Sequence, residues 1–221
     1  YLTADEARAA RRWLTVFVFV TLVALAAAWP VQAIILSGTR EGLARLPLYG
    51  DMARSAFGDT AFLKLGGLAL MLFVRVRRAW GAGIGTAGVL LFAIALALEG
   101  PAGSHRLRQE MLTLSVIHAV AAAFWFGGLF PLRNVAMRRE PQSAAEAVRA
   151  WSRPALVFAS LAVGSGVALA LGLFGRPALP PRSPAGWLLA AQALLVALMV
   201  MMALACRYRH TRLLMRGDVL A

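Results

Sequence analysis

Residues 13–36 contain no charged side chain, and neither do residues 154–174. About 20 apolar residues in a helix, each adding about 1.5 Å, cross the roughly 30 Å hydrocarbon core of a bilayer. In that medium every backbone N–H and C=O has to be bonded within its own segment, so such runs are restricted to helices. Four further stretches have the same character, and the expected spans are 13–36, 56–74, 80–98, 111–132, 154–174 and 187–206. The chain therefore reads as all-α, a polytopic transmembrane helix bundle of about six spans occupying 1–221 as one domain. With 60% hydrophobic and 15% charged residues, a separate soluble domain has no room. Tyr1 is not an initiator methionine, so the chain is expected to be part of a longer one.

The net charge of +13 raises nucleic acid as a partner, but the arginines cluster at the ends of apolar runs, where they orient a membrane protein. No nucleic acid is expected; the lipid bilayer is the partner. One side of the bundle collects Arg8, Arg11, Arg12, Arg75, Arg77, Arg78, Arg133, Arg138, Arg139, Arg149, Arg153, Arg207, Arg209, Arg212 and Arg216. The other collects only Arg40, Arg45, Arg54, Arg106, Arg108, Arg176 and Arg182. The richer side is expected to be cytoplasmic, which puts both ends there. Thr3 and Glu6 form a capping box ahead of the first span, and Ser143 and Glu146 form a second, so that 143–153 reads as a short cytoplasmic helix before the span at 154–174. Gly81 and Gly85, Gly127 and Gly128, and Gly164 and Gly166 lie inside spans, where small residues let helices approach closely.

An ionisable residue at mid-depth in a span is a functional candidate, and His118 is one. Met111, Ser115, His118 and Trp125 recur at spacings of four, three and seven, which puts them on one helix face. A thioether and an imidazole on one stripe form a donor pair that suits copper. The alternative is a histidine hydrogen-bonded to a neighbouring helix, with methionine as packing. Glu99 and His105 fall in the loop above the stripe and could join Met111 where a metal arrives, or simply be solvated. Lys64, the only lysine, either snorkels outward or stands as a buried charge. His210 lies among cytoplasmic arginines and reads as solvated; Met199, Met201, Met202 and Cys206 read as packing. No nucleophile, carboxylate pair or phosphate loop is visible, so an enzyme is not expected.

The run His118-Ala-Val-Ala-Ala-Ala-Phe-Trp125-Phe-Gly-Gly-Leu129-Phe-Pro-Leu132 resembles the His…Trp-x-Gly-Gly-Leu signature of the copper resistance D (CopD) family of bacterial inner-membrane proteins. Phe57-Gly58 followed by Leu63-Lys64, and Trp151-Ser152-Arg153, add to the likeness, which extends over about 13–214. The resemblance implies a bundle of about eight spans, a multi-pass location in the inner membrane, a periplasmic copper-binding partner of the CopC type, and a role in copper transport or tolerance. Copper would be the ion handled, with His118 central and Met111, His105 and Glu99 as outer helpers. The chain departs from the family pattern at Glu99-Gly100-Pro101-Ala102, where the family often has Gly-His-Ala, and at Ser115, where an acidic residue is common.

Two other readings compete. One is a non-catalytic structural or assembly subunit working with other membrane subunits. The other is a haem-binding electron carrier, which a single deep histidine disfavours because bis-histidine ligation needs two. The arginine asymmetry makes one direct prediction: a reporter fused after Ala221 that is active only in the cytoplasm should be active, and activity confined to a periplasmic reporter would invert the topology.

Overall fold

The computed structural model describes residues 4–76, 79–138, 141–175, 186–198 and 201. Helix α1 spans Ala4–Ser37, α2 Leu46–Ala53, α3 Ala56–Met71, α4 Ala79–Glu99, α5 Arg108–Arg138 and α6 Pro141–Phe174. Short 3₁₀ turns at Arg40–Ala44, Leu72–Arg75 and Pro101–Ser104 fill most of the connections, and among the described residues there is no strand. Segments Arg8–Ser37, Ala56–Arg75, Trp80–Glu99, Arg108–Arg133 and Glu146–Phe174 are each long and apolar enough to cross a bilayer. They coincide with five of the six expected spans. The sixth is described only over Gly186–Leu198, a shorter apolar helix that belongs to a separate unit beginning at Phe174. Met199, Met202, Cys206 and His210 lie outside the described residues, as does Thr3 of the first capping box.

One sequence expectation changes. The helix at 143–153 is not a separate element: α6 continues without a break from Pro141 through Pro154 to Phe174. A proline removes one N–H from the ladder, but the alanines at 144, 145, 147, 150 and 155 favour helix on both sides, and spans commonly tolerate such a break. The connection between the first two spans, on which the sequence made no prediction, is itself helical. Gly38 ends α1 at φ +69° with its N–H on the carbonyl of Ile34, and the 3₁₀ turn and α2 then fold back on the helix ends, burying Met52.

Packing inverts the pattern of a water-soluble protein. Ala61, Ala93, Ala95, Ala97, Ala102 and Ala121 are buried, while Phe19, Ile35, Leu156 and Val157 are more than half exposed. Lipid is as apolar as leucine, so large side chains gain little by turning inward, and close backbone approach becomes the main source of contact. The α3–α4 pair shows this best. Ser55 starts α3 by accepting from the N–H of Phe57, with Asp59 in the first turn facing the positive end of the helix dipole. Farther along, Gly67 lies against Gly88: a Cβ on Gly67 would come within 2.8 Å of the Gly88 carbonyl oxygen and 2.9 Å of the Phe92 nitrogen. Gly81 and Gly85 extend the seam against Val76 and Val74. Gly127 and Gly164, by contrast, face open space.

Helices α5 and α6 run antiparallel. Met111 meets Gly172, His118 meets Gly166, the Phe124 ring stacks 3.9 Å from Phe158, and Gly128 is covered by Trp151. The crossing at Gly67 and Gly88 yields a prediction. Gly67→Ala or Gly88→Ala should each destabilise the protein in detergent by about 1–3 kcal/mol, because neither backbone can yield without parting the helices. Gly83→Ala, with nothing within 4 Å of its Cβ, should be neutral or stabilise by up to about 1 kcal/mol. Denaturant titration of the three variants checks this, and equal effects would refute the close crossing.

Candidate functional site

His118 sits ten residues into α5, about 15 Å along its axis. Its Nδ1 lies 2.8 Å from the carbonyl oxygen of Ala162 on α6. A carbonyl can only accept, so the partners assign the hydrogen to Nδ1 and leave the free lone pair of the neutral ring on Nε2. Ser165, buried on α6, holds its oxygen 3.4 Å from the same Nδ1 while donating to Leu161 at 2.5 Å. Gly166 completes the cradle: a Cβ there would fall 3.0 Å from the imidazole Cε1 and 3.2 Å from Nδ1.

Among the described residues Nε2 makes no hydrogen bond. No fully buried side-chain nitrogen or oxygen among them lacks a partner, so Nε2 is not sealed in the interior. A backbone carbonyl on one ring nitrogen with the other left open is the arrangement that orients metal-ligating histidines. It is equally the hydrogen bond to a neighbouring helix that the packing alternative calls for.

The other expected donors do not gather around this ring. Met111 is buried, with its sulfur against Gly172, and seven residues of helix put it about 10.5 Å along the axis from His118. Transition-metal bonds to nitrogen and sulfur are about 2.0–2.3 Å, so one ion does not bridge that rise without large side-chain movement. Ser115 is half-buried. Trp125 is also half-buried, with its ring edge-on to Phe126 at 5.6 Å. Phe124 is the aromatic turned onto α6, stacked 4.8 Å from Trp151. The contact face rotates along α5, as it does when two helices cross.

His105 follows the Pro101–Ser104 turn, and its Nδ1 accepts from the N–H of Leu107 at 3.1 Å. Its tautomer is therefore opposite to that of His118, and its lone pair is already used. Glu99 ends α4 and forms an ion pair with Lys64 of α3. Lys64 does not snorkel out to water: it is buried and paired. Among the described residues no group of three or more His, Cys, Asp or Glu side chains converges as a metal site. Ala162 and Ser165 escaped the sequence reading, and Gly166 entered it only as a packing glycine, because nothing in a single sequence pairs α5 with α6 residue by residue.

Five bilayer-length apolar helices and a polar contact between two of them define an all-helical, multi-pass membrane protein. No family model, no curated protein and no solved structure matches the chain.

The cradle can be tested without any ligand. Gly166→Val should push the ring off Ala162, and the histidine ¹⁵N spectrum should lose the Nδ1-protonated signature that disappears in His118→Gln. Gly164→Val, pointing into open space, should preserve it.

Proposed function

We propose that the chain is a bacterial inner-membrane protein that binds copper or moves it across the membrane, with Nε2 of His118 as the ligand atom and both ends in the cytoplasm. The observation that carries the reading is the bond from Nδ1 to the Ala162 carbonyl, which fixes the ring and leaves Nε2 as its basic atom. The CopD-like run from His118 to Leu132 supports the choice of copper, and the arginine asymmetry supports the orientation. Met111, two stripe positions away, is a thioether that an ion could meet before or after His118 rather than together with it. A periplasmic copper-binding protein of the CopC type is the partner this reading implies.

A second reading is a non-catalytic structural or assembly subunit. Two observations favour it: Glu99 is engaged by Lys64, and the Nδ1 of His105 is engaged by its own loop. Elemental analysis of the purified protein beside its visible spectrum separates copper, haem and empty forms. His118→Ala should reduce copper accumulation to the level of cells lacking the protein at equal membrane abundance, whereas His210→Ala should leave it unchanged. Equal accumulation in wild type and His118→Ala would give the site to the structural reading.

A further inference from the structure

Lys64 is the only lysine of the chain, and its side chain is 6% exposed, against 36% for its partner Glu99. It lies in α3, the least apolar of the five bilayer-length segments, one turn from the buried Thr60, whose hydroxyl is spent on the carbonyl of Phe57. No other acidic side chain is paired with Lys64 among the described residues. A buried ammonium is among the groups least tolerated in a span unless it is neutralised. The backbones of α3 and α4 touch at Gly67 and Gly88, three and eleven residues from the two charges, so the close crossing and the ion pair join the same two helices.

We propose that Glu99 is the counter-ion that makes α3 a membrane span, and that α3 and α4 enter the bilayer as one hairpin in which the buried Lys64 charge is neutralised, clasped at Lys64–Glu99 and at Gly67–Gly88. This gives Glu99 a role other than metal donor and stands whether or not copper is handled. The unequal exposure of the pair sets an unequal dependence. Removing the carboxylate orphans a buried ammonium. Removing the ammonium leaves a carboxylate that is already partly exposed at the end of α4. Replacing both removes the problem, since buried ion pairs often exchange for neutral residues at little cost.

The test uses the full chain produced in bacterial membranes, reading its amount in the carbonate-washed membrane fraction and its thermal midpoint in detergent. Glu99→Gln should reduce membrane-resident protein by roughly tenfold or more. Lys64→Met should stay within about twofold of wild type, and the double variant Lys64→Met/Glu99→Gln should return to the Lys64→Met level. A double variant as depleted as Glu99→Gln would overturn the clasp. So would normal accumulation of Glu99→Gln, or a Lys64→Met variant as depleted as Glu99→Gln, which would put the cost in lost packing.

Discussion

A bilayer core offers no hydrogen-bond partner to a peptide group and no reward for turning leucine inward, and the architecture follows from these two facts. The first confines the chain to helices. The second removes the hydrophobic drive between helices, leaving close contact and the occasional polar bond to hold them. Gly67 against Gly88, and Gly166 beneath His118, are the two forms this takes: backbone on backbone, and backbone beside a ring. Alanine fills most of the buried apolar positions among the described residues, and many large apolar side chains are exposed on the outside of the helices.

The polar contacts divide the bundle into two helix pairs with different electrostatics. The α3–α4 pair contains a full ion pair at the end where α4 stops. The α5–α6 pair brings together an imidazole, a serine hydroxyl and carbonyl oxygens in mid-span. A charged group cannot be left alone in hydrocarbon, whereas a neutral imidazole with one satisfied nitrogen can keep its second nitrogen open at modest cost. That difference is why the proposed copper reading rests on the deep histidine and not on the deep lysine.

The expected spans at 13–36, 56–74, 80–98, 111–132 and 154–174 were legible because length and apolar content are properties of each segment alone. The continuous α6 was not, since the capping pair Ser143 and Glu146 looks the same whether a helix begins there or runs through. The helical connection at 40–53 was missed because its leucines, glycines and arginines carry no clear period. Within the site, His118 and Met111 were legible as one stripe, and both do face α6. Trp125 was assigned to that stripe by spacing, but crossing helices turn Phe124 onto α6 instead. Lys64 and Glu99 stood out singly; their pairing depends on the α3–α4 crossing, which periodicity does not encode.

The acceptor that orients His118 is main chain, and this has a genetic consequence. A side-chain partner can be lost by one codon change, but no substitution at position 162 deletes its carbonyl oxygen. Random mutagenesis scored for loss of function would therefore pass over Ala162 and report Gly166 instead, where bulk and not chemistry breaks the contact. The group most responsible for the orientation of the ring is the one that a list of inactivating mutations would omit.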